Sequence, residues 1–225
     1  MASIHKTTMT PTKLELLARW LPSRPWYAGP ADGPELSRAG GFRLDDPRGA
    51  VGIEFMVVVD TSGDGAVAYH VPLTYRDAPL DGADQALIGT SEHGVLGRRW
   101  IYDGTRDPVL VARLVALFQG RAEPQHQSRS DTPDPSVTYD FTGDFTRDFT
   151  GDGTPDMAAP TTVKDAPHGT DIAVETDPRG ALTIRIMRVL RQDQPGTAGA
   201  QGIVTAGWHS PDGDEYRGPF AVLTT

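Results

Sequence analysis

Two apolar segments separated by a short turn constrain the fold of this chain more than any other feature. The first, G-I-E-F-M-V-V-V-D at residues 52–60, is rich in β-branched and aromatic side chains. The second, A-V-A-Y-H-V-P-L-T-Y-R at residues 66–76, alternates apolar side chains with others. The turn sequence T-S-G-D-G lies between them, so the two segments predict an antiparallel β-hairpin. Because Pro72 lacks a backbone N–H, we expect the second strand at a sheet edge or at a bulge.

Two helices are indicated by their capping sequences. Thr12 and Glu15 have the spacing of a capping box, and leucines follow at helical spacing until Pro22 ends the helix. The pair D-P at residues 107–108 is typical of an N-cap followed by the first helical residue. The next ten residues are mostly apolar, so we expect this second helix to be buried and to end near Gly120.

The composition changes after residue 120. Residues 121–134 and 143–170 are polar and rich in Pro, Gly, Ser, Thr and Asp, so we expect flexible loops there. Five strand-like segments lie between and after these loops. We therefore predict an α+β fold, with a curved antiparallel sheet packed on helices at residues 1–120. Residues 121–225 are predicted to form a β-rich antiparallel extension, which either continues the first sheet or forms a small second subdomain.

Charge and residue usage narrow the classes of function. The chain has 225 residues, a net charge of −9 and no cysteine. An acidic surface repels phosphate backbones, so we expect no nucleic-acid partner. The absence of cysteine excludes disulfides, thiolate metal sites and a cysteine nucleophile. No signal-peptide segment is visible, and no apolar run approaches the roughly 18–20 residues that cross a membrane. We expect a cytoplasmic protein without a membrane partner.

An aspartate-rich repeat is the most conspicuous candidate for a metal site. Asp144, Asp148 and Asp152 recur every four residues in D-F-T-G-D-F-T-R-D-F-T-G-D-G. Calcium loops of the EF-hand type instead place acidic ligands at every second residue and end with a bidentate glutamate. We therefore expect a loop without a metal ion, and a weak cation site at these three residues is the alternative.

Other motifs of catalysis and cofactor binding are missing. The sequence contains no G-x-S-x-G, no P-loop and no G-x-G-x-x-G, and no two histidines are three or four residues apart. We therefore expect no catalytic residue, no cofactor and only structural or solvated histidines. His93 is predicted in a loop near the strand R-R-W-I-Y-D, where folding can bring it to Asp103. Adjacent acids such as Asp45 and Asp46 are expected to lie in solvated turns.

The stretch R-W-L-P-S-R-P-W-Y-A-G at residues 19–29 concentrates aromatic and cationic side chains. We expect Trp26 and Tyr27 to bury their rings between the first helix and the sheet. Arg19 and Arg24 are expected to stack on those rings or to bond nearby carbonyl groups. The alternative is a surface that binds a ligand or a partner, for which the candidate residues are Arg24, Trp26, Tyr27, His93, Trp100 and Asp103.

This stretch resembles the W-L-x-x-R-x-W-(Y/F)-x-G pattern at the start of actinobacterial maltokinases and of trehalose synthase–maltokinase fusions. The segments A-Y-H-V-P-L-T-Y and W-I-Y-D-G-T-R-D-P-V-L-V-A-R-L resemble later parts of the same N-terminal cap, in the same order, over about residues 10–120. The resemblance implies a cap with a curved antiparallel sheet on helices and a cystatin-like outline.

The chain also departs from the kinase pattern. These 225 residues contain no H-G-D-x-H-x-x-N-like catalytic loop and no later metal-binding aspartate, and we expect no helical C-lobe in this chain. The segment L-T-I-R-I-M-R-V-L resembles the strand that carries the ATP-binding lysine, but it has Arg185 and Arg188 instead. We therefore expect no phosphoryl transfer by this chain alone.

The preferred interpretation is a stand-alone, non-catalytic cap-like module that binds or regulates an enzyme of trehalose, maltose or glycogen metabolism. A first alternative is an enzyme, or a carbohydrate- or nucleotide-binding protein, with a cleft between the halves, where Trp100, Trp208 and Tyr216 are candidates to stack on sugar rings. A second alternative is a partial kinase N-lobe that needs a separate C-lobe. The sequence does not determine the oligomeric state.

Overall fold

Strands make up most of the regular structure. The computed structural model describes residues 8–30, 33–142, 160–167, 169–176, 180–192 and 199–224. Two α-helices lie in these residues, α1 (Lys13–Trp20) and α2 (Pro108–Phe118). The strands are β1 (Met9–Thr10), β2 (Leu36–Leu44), β3 (Gly52–Asp60), β4 (Val67–Arg76), β5 (Leu87–His93), β6 (Gly97–Asp103), β7 (Gln125–His126), β8 (Thr138–Phe141), β9 (Pro160–Ala166), β10 (Gly169–Thr176), β11 (Gly180–Met187), β12 (Val189–Leu190), β13 (Gly202–His209) and β14 (Glu215–Thr224).

All of these strands belong to one open antiparallel sheet. Its order is β1-β5-β6-β4-β3-β2-β13-β14-β11-β10-β9, while β12, β7 and β8 pair with β4, β2 and β13 respectively. The predicted α+β class is confirmed in its coarse form, although the two helices are short and the sheet dominates. The cystatin-like outline stays a prediction.

The predicted hairpin is confirmed, but its second strand is not at an edge. β4 lies between β3 on one side and β6 on the other. The side that faces β6 also pairs with β12, at the opposite end of β4. The partners of β12 are residues 68–69 and the partners of β6 are residues 73–76, so Pro72 lies in the gap between them. His70 donates its N–H to the carbonyl of Arg188 on this side. Backbone directions alternate along a strand, so the nitrogen of Pro72 faces the same gap, where no ladder bond is lost.

Both predicted helix starts are confirmed. Thr12 and Glu15 form the capping box of α1, in which the Thr12 N–H donates to Oε2 of Glu15 at 2.7 Å. Asp107 caps α2 by accepting the N–H of Val109 on Oδ1 at 3.0 Å. Gly120 has a φ of +68° just after α2, a conformation that favours glycine. No helix in the described part of the chain is long and apolar enough to span a membrane.

The two helices pack on opposite faces of the sheet. Alternate residues of β3, Phe55 and Val57, belong to the core cluster of α2. The residues between them on the other face, Met56 and Val58, belong to the cluster of α1. Successive side chains of a strand point to opposite faces, so β3 is buried on both sides. This burial explains why its sequence is a nearly continuous apolar run rather than an alternating one.

Strands from both halves of the chain share this sheet. β13 pairs with β2 through Trp208 and Gly40, and β12 pairs with β4. The cluster of α2 also includes Ile184 and Phe220 from the second half. The second half therefore continues the first sheet, which is one of the two arrangements that the sequence left open. The division of the chain into one unit at residues 1–120 and another at residues 121–225 stays a prediction.

The segments expected to be loops contain some regular structure. β7 lies within residues 121–134 and pairs with β2, and Ala122 and Gln125 there are buried. β9 and the start of β10 lie within residues 143–170. Residues 143–159, with the aspartate-rich repeat, lie outside the described residues.

Candidate functional site

The aromatic stretch after α1 lies mostly inside the protein. Trp26 is 1% exposed and packs with the rings of Trp20 and Tyr69, at centroid distances of 5.7 and 6.0 Å. Arg24 places its guanidinium 4.8 Å from the ring centroid of Trp20, rather than over Trp26 or Tyr27. These contacts attach the segment after α1 to β4. A ligand reaches the ring of Trp26 only if this packing opens.

Tyr27 is half-buried, and its hydroxyl binds Asp60, the last residue of β3, at the start of the following turn. Its hydroxyl donates to Oδ2 of Asp60 at 3.0 Å. Burial, and then the neighbouring carboxylate, raise the pKa of Tyr27 to about 12. The other oxygen of Asp60 accepts the N–H groups of Glu35 and Ser62, each at 3.0 Å. Tyr27 is therefore a neutral hydrogen-bond donor at physiological pH.

Asp103 takes part in a buried ion pair with Arg188. Nη2 of Arg188 lies 2.5 Å from Oδ2 of Asp103, and the arginine side chain is fully buried. Nε of Arg188 donates to the hydroxyl of Thr170 at 2.7 Å, and Thr105 donates its hydroxyl to Oδ1 of Asp103 at 2.9 Å. The guanidinium also lies 4.9 Å from the ring centroid of Trp26. Two of the candidate surface residues, Trp26 and Asp103, thus contact one buried arginine.

His70 lies beside this arginine and stays neutral. It is fully buried, and its Nδ1 is 3.0 Å from the carbonyl oxygen of Met187. Because that oxygen only accepts, Nδ1 carries the proton and donates it. Burial, and then the charge of Arg188, lower the pKa of His70 to about 3. The structure gives His70 a structural place in the core.

His93 lies far from Asp103. It is the last residue of β5 rather than a loop residue, and its Nδ1 accepts the N–H groups of Val95 and Leu96. It pairs with Gly97 at one end of β6, whereas Asp103 is at the other end. Six residues of strand separate these ends by about 20 Å. The sequence left open whether folding brings the two side chains together, and the strand register keeps them apart.

Trp100 packs in a third, small cluster. Its half-buried ring lies against Tyr102, Ala83 and Ala86. It therefore stands apart from both the Trp26 cluster and the other aromatic residues that the sequence proposed for sugar stacking.

The acidic candidates have different outcomes. Asp46 is 6% exposed and accepts the backbone N–H groups of Arg48, Ala50 and Val51, so the prediction of a solvated turn is wrong for this residue. Its carboxylate instead orders the turn before β3. Asp144, Asp148 and Asp152 lie outside the described residues. Within the part of the chain that the structure describes, no group of three or more His, Asp or Glu side chains is placed to hold a metal ion.

A cavity of about 300 Å³ lies where strands of the two halves meet. Its floor is apolar and comes from β3, β4 and β12, through Val59, Ala68 and Leu190. Trp208 of β13 and Tyr216 of β14 form an aromatic wall. The polar groups around it are Arg191, Gln192 and Ser210. The cavity therefore combines an apolar floor with a few polar side chains, as small-molecule sites do.

The aromatic wall is held by the sheet. Trp208 and Tyr216 are directly opposite each other in the β13–β14 pair, with ring centroids 5.9 Å apart and ring planes 39° from parallel. Trp208 is 4% exposed and rests on Phe220 at 6.3 Å. Gly218 leaves room for the indole, because a Cβ there would lie 3.3 Å from its ring. The rings are therefore positioned before any ligand arrives.

Residues 20–107 match the family model of the maltokinase N-terminal cap domain. No curated protein matches the chain. The match runs from the end of α1 to the N-cap of α2, and confirms over this range the cap-like region predicted from the sequence. It contains the six candidate surface residues, whereas Arg188, Trp208 and Tyr216 lie outside it.

Proposed function

We propose that this chain is a non-catalytic, maltokinase-cap-like module that binds an enzyme of trehalose, maltose or glycogen metabolism and regulates it. The match of residues 20–107 to a maltokinase cap domain supports a cap-type role. The sequence supports the non-catalytic part, because it lacks the kinase catalytic loop and the metal-binding aspartate that phosphoryl transfer requires.

The turn between β5 and β6 carries this proposal. Val95 and Leu96 are 62% and 45% exposed, and with Tyr139 they are the exposed large hydrophobic residues of the described ranges. Two adjacent apolar side chains at a hairpin tip, inside the region that matches the cap family, suit a protein contact. We define this tip as residues 93–99.

The tip is ordered before it meets a partner. The ring of His93 accepts the N–H groups of both apolar residues, and Nη2 of Arg99 donates to the carbonyl of Leu96 at 2.9 Å. A preformed turn loses little conformational entropy on binding. The tip and its paired strand carry Arg98 and Arg99 beside one acid, Glu92. A partner surface with an apolar spot and an acidic rim therefore complements it.

The test uses the tagged full-length chain and its Val95→Asp/Leu96→Asp variant. Each is used to retain proteins from the native cytoplasm, and mass spectrometry identifies what is retained. The expected result is a stoichiometric enzyme of trehalose, maltose or glycogen metabolism, with binding by the purified enzyme weakened at least tenfold by the double variant. Tyr139→Asp is the matched control, because it adds an acid at an exposed hydrophobic residue outside the tip.

Regulation is tested separately, by the rate of that enzyme with and without saturating chain. A changed rate with the wild-type chain and an unchanged rate with the double variant are expected. Retention of no such enzyme, or equal retention by the double variant and the wild-type chain, would contradict the proposal.

A further inference from the structure

We propose that the cavity between β3, β4 and β12–β14 binds an anionic monosaccharide, a hexose-sized ring that carries a phosphate or a carboxylate. This site lies outside the hairpin tip at residues 93–99, and the proposal does not rest on the partner enzyme. It goes beyond the cap-type role, because most of the polar and aromatic groups of the cavity come from residues after the matched range 20–107.

The shape of the cavity suits one sugar ring. Its volume of about 300 Å³ is at the lower end of small-molecule sites. Tyr216 is half-buried and offers a ring face against which the C–H groups of a pyranose can pack, and the buried ring of Trp208 packs beside it.

The polar groups of the cavity are available to a ligand. Ser210 accepts the N–H of Asp214 on its hydroxyl oxygen at 3.1 Å, so its own hydrogen is left to donate. In the described residues, the hydroxyl of Tyr216 and the amide of Gln192 make no hydrogen bond with the protein. A sugar offers many hydroxyl groups that donate and accept, which these side chains can pair.

The charge of the cavity indicates an anion. Arg191 is exposed, and no ion pair joins it to an acid of the described ranges. No aspartate or glutamate is among the described residues that line the cavity. This contrasts with a chain that has 30 acidic residues and a net charge of −9. A guanidinium with two parallel N–H groups suits a phosphate or a carboxylate.

The experiment measures binding of glucose 1-phosphate and glucuronate to the full chain by isothermal titration calorimetry. Both are expected to bind and to raise the melting temperature, since a ligand stabilises the folded state that it binds. Glucose and inorganic phosphate are the other two arms, and each is expected to bind at least tenfold more weakly. Equal binding of glucose overturns the anionic part of the proposal, and equal binding of phosphate overturns the sugar part.

Variants then place the ligand in this cavity. Arg191→Gln and Tyr216→Ala are each expected to weaken binding of glucose 1-phosphate at least tenfold. Arg129→Gln is the matched control, because Arg129 is an exposed arginine outside the cavity. Circular dichroism checks that each variant is folded. If Tyr216→Ala is not folded, Tyr216→Phe replaces it, because phenylalanine keeps the aromatic ring and removes only the hydroxyl. Wild-type affinity in Arg191→Gln, or no binding of either anionic sugar by the wild-type chain, overturns the proposal.

Discussion

Arg188 and Asp103 form an ion pair that joins the two halves of the chain, with Nη2 and Oδ2 2.5 Å apart and the arginine fully buried. The two residues are 85 positions apart in sequence. Nη1 of Arg188 has no hydrogen-bond partner in the described residues. The arginine therefore depends on Asp103, on two threonine hydroxyls and on the face of Trp26 for its stabilisation.

Loss of the carboxylate at Asp103 is expected to destabilise the protein strongly. Asp103→Ala leaves the guanidinium of Arg188 buried without its counter-charge, so the free energy of unfolding should fall by about 3–5 kcal/mol. Urea denaturation measures this change. Asp171→Ala is the control, because it breaks the more exposed pair with Arg185 and is expected to cost at most about 1 kcal/mol. Equal costs for both variants would show that burial of the pair is unimportant.

Acid is expected to weaken the fold through His70. Its pKa is about 3 in the folded protein, below its ordinary value of 6.5, so below about pH 6.5 the unfolded chain binds a proton that the folded protein does not. The contribution of His70 to stability should therefore fall by about 1.4 kcal/mol for each pH unit between these two values.

The measurement compares urea denaturation at pH 7.5 and pH 5 in the wild-type chain and in His70→Asn. The asparagine amide keeps a donor for the carbonyl of Met187 but does not titrate. We expect the loss of stability between the two pH values to be smaller in this variant, whereas His209→Asn, at an exposed histidine, should behave as the wild type. If His70→Asn lost as much stability as the wild-type chain between pH 7.5 and pH 5, His70 would not be the group responsible.

The ring of Trp26 is expected to contribute several kcal/mol to stability. Trp26→Ala removes a side chain that is 1% exposed and also uncovers the guanidinium of Arg188. Large-to-small changes of buried aromatic residues cost about 3–5 kcal/mol. Leu96→Ala, at an exposed position, should change stability by no more than about 0.5 kcal/mol. An unchanged melting temperature for Trp26→Ala would show that the Trp26 ring does not stabilise the core.

Glycine is required at position 41 for two reasons. Gly41 has a φ of +122°, and a Cβ there would clash with the carbonyl oxygen of Phe55 in the neighbouring strand. Backbone strain alone costs about 1–3 kcal/mol. Gly41→Ala should lower the free energy of unfolding by more than this, because the steric clash adds to the strain. Gly65→Ala is the control, because a Cβ there meets no atom within 4 Å. Thermal denaturation that ranks the two variants equally would contradict the clash.

The features that depend on neighbours in the sequence are the ones that could be predicted from it. The caps at Thr12 and Asp107 rest on residues two or three positions away, and the β3–β4 hairpin rests on one short turn. β2 was missed because Gly40 and Gly41 interrupt its apolar pattern. The structure shows a register shift beside Gly40 and a close approach to β3 at Gly41, both of which need glycine.

The candidate sites depend on residues that are far apart in sequence. Trp208 and Tyr216 were recognised as aromatic candidates, but their partners in the cavity come from β3, β4 and β12. From the sequence, Arg188 was noted only because its strand resembles the one that carries the ATP-binding lysine in kinases. No neighbouring residue in the sequence indicates that it pairs with Asp103. Nothing in a sequence pattern distinguishes a buried, paired arginine from a solvated one, since the difference is set by what packs over it.

The gap beside β4 has a consequence for synthesis of the chain. Residue 189, the first of β12, leaves the ribosome about 4–16 s after residue 107, at usual rates of translation. During that interval the side of β4 that later pairs with β12, at residues 68–69, has unpaired backbone groups that other nascent chains can reach. Pro72 lies on the open side of β4 and cannot donate to an incoming strand. The missing N–H of Pro72 is therefore expected to disfavour pairing of the nascent β4 with a wrong strand.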